Sequence, residues 1–392
     1  MITREDIREL AQFQSAGGPG CALSFYFQPQ TPQNKSHREE AILAKDLVRD
    51  AIKEAEKNGK NGEVRATLHR ILDVAGNLRG NQARAKAIFA DGTGNFWREF
   101  DLPPQLPGSQ IFVNRRFYLK PLATLLGAQP RLCVALVDRQ RARLFDLRLD
   151  ELTEREGLFH NLPRRGRSDG WGGYDGGHAE RRVGDEAMHH FKTVAERLKE
   201  EQEKGVFENL IIGCQESNWS EFETHLHPYQ KQRLLGRFSA EVATISNDQI
   251  RENANRILRE SQEQRRQSLV KEIIGQAHRN GFGVTGLRRV LRALELGEVQ
   301  SLVLGESFRA HGVECTNCGH LDSHMVRFCS VCGHETRELE DVCEAMIPMA
   351  ILRDIELFYA KDDATLDQVG NIGALLRFRA DQNTPAKLSV AS

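Results

Sequence analysis

The chain has 392 residues, 40% of them hydrophobic and 28% charged, with a formal net charge of −1. That length allows two or three domains with real cores. The near-zero charge excludes any argument for a nucleic-acid partner from overall charge and leaves only local patches; no apolar run reaches the ~18 residues of a membrane span, so no membrane partner is expected.

From the start, "MITREDIREL" is charged and lacks the apolar core of a secretory signal. "CALSFYF" alternates apolar with small or aromatic residues and predicts a strand, ended by "QPQTPQN". In "REEAILAKDLVRDAIKEAEKNG" a helical period puts Ile42, Leu43, Leu47, Ala51, Ile52 and Ala55 on one face. "GEVRATLHRILDVAGNL" predicts a second helix. "AKAIFAD" and "NFWREFDL" predict strands paired across "GTG", and "LPPQLPGSQ" a loop or linker.

A second segment begins near Gln129. "RLCVALVD" and "RARLFDLRL" predict strands, and a glycine-rich stretch, "GRSDGWGGYDGGHAERR", follows. Val183, Ala187, Phe191, Val194, Ala195 and Leu198 then form a helical stripe that ends at "KEEQEKG". "ENLIIGC" predicts a strand, "SNWSEFETHL" a helix capped by Ser217 or Asn218, and "AEVATIS" another strand. Strands alternating with helices imply an α/β sandwich. From about Asn247 a long polar helix leads into a third segment. There Leu287, Val290, Leu291 and Leu294 share a helix face, Gly297 stops the helix, and "VQSLVLG" is the next strand. "DVCEAMIPMAIL" predicts a helix with Pro348 inside it, before "IELFYA" and "LDQVGNIGALLRFRAD". The predicted domains are 1–125, 126–247 and 248–392, all α/β.

Eight cysteines occur. Cys21, Cys133 and Cys214 stand singly in apolar segments as buried thiols. In "CTNCGHLDSHMVRFCSVCGH", Cys315 and Cys318 form one CxxC and Cys329 and Cys332 another, each followed by glycine. Four thiolates so spaced fill a tetrahedral Zn²⁺ sphere and leave no open position for water, which predicts a structural zinc ribbon over 313–335. His320, His324 and His334 are expected to be polar ribbon residues, and Cys343 a helix-face core residue. The pattern fits a reducing, cytoplasmic setting.

The loop over 164–182 lacks the spacing of a P-loop or a dinucleotide fingerprint. Arg164, Arg165, Arg167, Arg181 and Arg182 flank its glycines, with Trp171, Tyr174 and His178 interleaved. Arginine and aromatic side chains on a glycine backbone suit phosphate contact and base stacking; a plain flexible connection is the alternative. No GxSxG elbow or HExxH is present. His189, His190, His225 and His227 are therefore expected to be surface or half-buried histidines, and no catalytic residue is expected.

Together these motifs resemble the archaeal and eukaryotic class 1 peptide-chain release factor family, which includes Pelota and a diverged bacterial, Balon-like branch of ribosome-hibernation factors. "VTGLRRVLRALELGEVQSLVLGESF" is similar to the family's entry to its C-terminal domain, and "VGNIGALLRF" to its closing strand. The two-knuckle cysteine insertion between them resembles that of archaeal members. The resemblance spans roughly residues 125–380 and implies three α/β domains with a zinc-ribbon insertion in the last.

In release factors the loop carries Gly-Gly-Gln, and the glutamine serves peptide release. Here Gly172 and Gly173 precede Tyr174, and Gly176 and Gly177 precede His178. The stop-codon motif Asn-Ile-Lys-Ser has no match, since Asn34, Lys35 and Ser36 lack the isoleucine. The resemblance thus implies a non-catalytic factor that fills the A site of idle or stalled 70S ribosomes. Arg164, Arg165, Arg167, Trp171, Gly172, Gly173, Tyr174, His178, Arg181 and Arg182 would lie against ribosomal RNA. A translational GTPase such as elongation factor Tu is the implied partner. Two alternatives stay open: a release or rescue hydrolase with a substituted loop, and a non-ribosomal RNA-binding stress protein.

Overall fold

The structure, a computed structural model, describes residues 2–13, 22–28, 38–57, 62–77, 85–92, 95–102, 108–127, 131–148, 151–159 and 176–380. Contacts divide the chain into two compact units, Met1–Gly127 with Arg266–Ser392, and Ala128–Arg265.

The first unit opens with α1 (Arg4–Gln12). The Thr3 hydroxyl accepts from the Asp6 N–H while the Asp6 carboxylate accepts from the Thr3 N–H, which satisfies two otherwise orphaned donors. β1 (Ala22–Phe27) is buried on both faces at the centre of an antiparallel sheet. That sheet is completed by β2 (Ala85–Asp91), β3 (Trp97–Leu102) and β4 (Gln110–Asn114), in the order β3-β2-β1-β4. Period-two alternation sends Leu23, Phe25 and Ile88 to one face. There they pack with Val48 of α2 (Arg38–Lys57) and Leu68 and Ile71 of α3 (Gly62–Asn77).

The buried face of α2 is not the expected one. Ala44, Val48, Ala51, Ile52 and Ala55 are buried, while Ile42 and Leu43 are 50% and 59% exposed. At 100° per residue, a face through positions 44, 48, 51, 52 and 55 turns 42 and 43 away. Ala22, Tyr26 and Phe89 line the other face of the sheet, with Ile7 and Leu10 of α1 and Leu122 of α4 (Lys120–Gly127).

The second unit is a five-stranded sheet. It contains β5 (Leu132–Val137), β6 (Arg141–Arg148), β7 (Glu151–Phe159), β8 (Asn209–Gly213) and β9 (Leu234–Phe238), in the order β7-β6-β5-β8-β9. β5, β8 and β9 run parallel, and β6 and β7 extend the sheet antiparallel. Cys133, Ala135 and Val137 face Phe191, Val194 and Leu198 of α5 (Gly176–Glu203) and Trp219 and Phe222 of α6 (Glu216–His225). Val134 and Leu136 face the opposite layer, with Ile250, Ala254 and Ile257 of α8 (Asn247–His278), which follows the short α7 (Pro228–Arg233). The division between the units falls inside α8, at 265/266.

Two expectations change here. "AEVATIS" is a turn, in which the Glu241 carbonyl accepts from the N–H groups of Thr244 and Ile245. Its Ala240 and Val242 are buried as a plug, and the strand is the preceding "LLGRF". The α6 cap is Gln215, without a side-chain cap bond, and Ser217 and Asn218 lie inside the helix.

The chain returns to the first unit with β10 (Gly283–Thr285), α9 (Leu287–Glu295) and β11 (Val299–Gly305). A three-stranded ribbon follows, built of β12 (Gly312–Cys315), β13 (Leu321–Asp322) and β14 (Thr336–Leu339) in the order β13-β12-β14. The last elements are α10 (Val342–Leu352), β15 (Glu356–Ala360), α11 (Ala364–Asp367) and β16 (Ile372–Leu376). They complete a sheet of order β10-β16-β11-β15, in which β11 and β15 are parallel. Leu302 and Leu304 of β11 and Met346 and Ile347 of α10 join the core that holds Ile7, Leu10 and Leu122. The opposite face, through Val303, packs with Val270 and Ile273 of α8. Among the described residues no helix is long and apolar enough to cross a membrane.

Candidate functional site

The best-defined site is the ribbon. Cys315, at the end of β12, and Cys318 form one knuckle; Cys329 and Cys332 form the other. The two knuckles repeat one bonding pattern. The N–H of Gly319 donates to the Cys315 carbonyl, and that of Gly333 to the Cys329 carbonyl. Both glycines hold positive φ, 72° and 75°, as a tight turn back toward sulfur requires. The N–H groups of Asn317 and Cys318 approach the Cys315 sulfur at 3.4 Å, and the N–H of Val331 approaches the Cys329 sulfur at 3.4 Å. All four sulfurs lie within 4.8 Å of one another. Three of their separations are 3.3, 3.4 and 3.7 Å. Metal–sulfur bonds of about 2.3 Å in a tetrahedron place sulfurs about 3.8 Å apart, so the four thiols fit one divalent ion.

The N–H of His334 and the neighbouring thiols, working against a cost of burial, bring the Cys332 thiol down to about 5. The histidines take other roles. The His320 ring meets Glu295 at 2.9 Å, that of His324 meets Asp322 at 3.0 Å, and that of His334 meets the Cys332 carbonyl at 3.1 Å. Cys343 is a buried residue of α10 whose thiol burial pushes up.

The residue before Cys315 carries a feature that spacing could not reveal. Glu314 is only 2% exposed, and its carboxylate accepts from Arg337 of β14 at 2.5 Å and from Arg116 of the N-terminal segment. The ribbon is thereby tied to the segment that follows β4. Nearby, Asn114 donates to Glu344 of α10 at 3.3 Å, and Arg8 of α1 pairs with Asp354 at 2.5 Å.

The loop presents a different case. Arg164, Arg165, Arg167, Trp171, Gly172, Gly173 and Tyr174 lie outside the described residues, as does Cys21. His178, Arg181 and Arg182 belong to the first turns of α5, with their side chains outside the described set. The base of the loop is well defined. The strand entering it is β7, which the sequence pattern did not announce, and α5 leaves it. Arg155 of β7 forms an ion pair with Asp146 of β6 at 3.0 Å and donates to Glu201 of α5 at 2.9 Å. Glu201 is itself buried and also meets Arg197 at 3.4 Å. Beside this network burial pushes the Cys133 thiol up to about 12, as expected of an inert core cysteine. His190, expected at the surface or half-buried, is fully buried beside Phe191, because it faces the sheet side of α5. His227 caps α7 by accepting from the Tyr229 N–H at 3.3 Å.

Comparison with known proteins finds similarity to one group of translation factors. Residues 118–259 match the model described as bacterial archaeo-eukaryotic release factor family 10. The chain is similar to peptide chain release factor subunit 1 of Archaeoglobus fulgidus, 23% identical over 376 residues, covering 90% of this chain and 87% of that protein. It is similar also to peptide chain release factor subunit 1 of Pyrococcus abyssi, 24% identical over 314 residues, covering 71% of this chain and 74% of that protein. Among solved structures it is similar to an archaeal Pelota in a model of ribosome-bound Pelota and ABCE1. There the identity is 13%, the coverage 96% and 94%, and the TM-score 0.40, a likeness too low to carry weight by itself. The family model over its middle segment and the release factor relatives along most of its length make the chain similar to archaeo-eukaryotic release factors.

Proposed function

We propose that this translation factor binds the ribosome and occupies the A site of idle or stalled particles without chemistry of its own. One observation carries this reading. In a family whose curated relatives bear the name of release factor, both Gly-Gly pairs of the loop lack a following glutamine: Tyr174 stands after Gly173 and His178 after Gly177. What remains is a basic, aromatic loop rooted in a rigid sheet by the Arg155–Glu201 and Arg155–Asp146 pairs. Such a loop suits contact with RNA phosphates and bases. The segments 1–125, 126–247 and 248–392 would act as the family's three domains, with elongation factor Tu or a similar GTPase as partner. The four ribbon cysteines would hold a structural zinc ion, whose chemistry is to cross-link the two knuckles.

Co-sedimentation with 70S ribosomes from stationary-phase cells tests the reading. The protein should pellet with ribosomes at low salt and leave them steeply as salt rises. Absence from every ribosomal fraction at low salt rejects it.

The relatives' name favours a second reading, release of the nascent peptide through a substituted loop. A peptidyl-tRNA release assay separates the two. Tyr174→Ala or His178→Ala abolishes turnover under the second reading, whereas no turnover is seen with any form of the protein under the first.

A further inference from the structure

A cavity of about 580 Å³, lined by none of the ribbon cysteines, opens in the C-terminal part of the first unit. The end of α8, β10, α9 and the end of β16 enclose it. Its volume is that of sites which take small ligands. Arg289 and Arg292 of α9 and Arg379 line it, together with Val284, Leu296 and Leu376. Arg289 and Arg292 are exposed, and neither meets a carboxylate among the described residues. The Arg379 guanidinium is tethered to the carbonyls of Asn280 and Gly281 at 2.6 and 2.9 Å. One carboxylate, Glu298, lines the same cavity, and it accepts from the Ala380 N–H at 2.6 Å. The two exposed guanidiniums of α9 thus stand in the wall beside one carboxylate that is already engaged.

We propose that this cavity binds a phosphate-bearing ligand of nucleotide size, the phosphate meeting Arg289 and Arg292 and the sugar or base resting on Val284, Leu296 and Leu376. Guanidinium is planar, always charged and built for paired hydrogen bonds to phosphate oxygens. The apolar wall suits the less polar part of a nucleotide. A free nucleotide and one nucleotide of an RNA strand share this chemistry.

The test uses the purified full-length protein without ribosomes, so its outcome is independent of A-site occupancy. Fluorescence anisotropy at low salt measures binding of labelled ATP, a labelled ten-nucleotide single-stranded RNA and a labelled glutamate decapeptide. Arg292→Glu and Arg289→Glu should each weaken nucleotide or RNA binding by about tenfold. Arg288→Glu, the same charge change outside the cavity, should leave it within about twofold. Arg292→Gln, which reverses no charge, should fall between. Melting curves that match wild type establish that the variants are folded. Binding of ATP identifies a free ligand, and binding of RNA alone identifies a strand; both support the site. The proposal is overturned if neither probe binds, if Arg288→Glu weakens binding as much as Arg292→Glu does, or if only the glutamate peptide binds.

Discussion

Two carboxylates show how burial assigns roles to single residues. Glu314 is held between Arg116 and Arg337, each about a quarter exposed. Removing the carboxylate leaves two guanidiniums facing one another in a half-dry site. Glu314→Ala should therefore cost on the order of 3 kcal/mol in urea denaturation, and Glu314→Gln, which still accepts, about half of that. Glu344 is the opposite case. Burial first, and then the charge of Asp341, raises its carboxyl above the ordinary range, with Arg309 and Lys120 opposing. The folded state then holds a proton that the unfolded state has released. Stability is full below the unfolded pKa and falls as pH rises through the raised one. Glu344→Gln should raise the Tm at pH 8, and the gain should vanish below about pH 3, where the carboxyl is protonated in both states. A gain of equal size at both pH values would contradict this. Neither role was legible in the sequence: the Glu314 pairing needs Arg116, 198 residues away in the chain, and the Glu344 shift needs a burial that only the folded core creates.

At the scale of elements, what was legible is what is local. The ribbon could be read because four cysteines, two knuckle turns and two glycines fall within twenty residues. Withdrawing the ion with a chelator should increase hydrogen exchange over 312–339 while leaving β5 and β8 protected. Cys329→Ser should lower bound zinc, measured by elemental analysis, from one equivalent per chain toward none. β7 escaped notice for a physical reason. It is an edge strand, and charged pairs such as Arg143–Glu154, at 2.8 Å, take the place of an apolar alternation. β9 escaped because "LLGRF" follows α7 without a turn signal. The α2 stripe was legible as a helix and misplaced in phase, since alanines at 44, 51 and 55 weigh little beside Ile42 and Leu43 yet occupy the packed face. Gly283 marks a contact no pattern reveals. A Cβ there would lie 2.2 Å from the Ile273 carbonyl oxygen and 2.7 Å from the Ala277 nitrogen of α8. Backbone cannot step aside as a side chain can, so Gly283→Ala should destabilise by about 2–3 kcal/mol in chemical denaturation.

For the whole molecule, the family resemblance was legible from the third segment and from the loop between β7 and α5. How the first segment is used was not. In the structure residues 1–127 and 266–392 share one core, with Ile7, Leu10 and Leu122 beside Leu302 and Met346. Short apolar stretches cannot announce which distant stretch they will meet. That shared core gives the Glu314–Cys315 dipeptide a further meaning. One residue grips the N-terminal segment through Arg116, and the next supplies a sulfur to the knuckles. A metal ion held by the four sulfurs and the N-terminal segment would be in effect two ligands of the same strand, and the free energy coupling them would be reciprocal. Arg116→Ala should lower zinc affinity, in competition with a chelator, by the same factor by which loss of zinc loosens the N-terminal segment. The supply of one metal ion would then govern how firmly the two ends of this chain are held together.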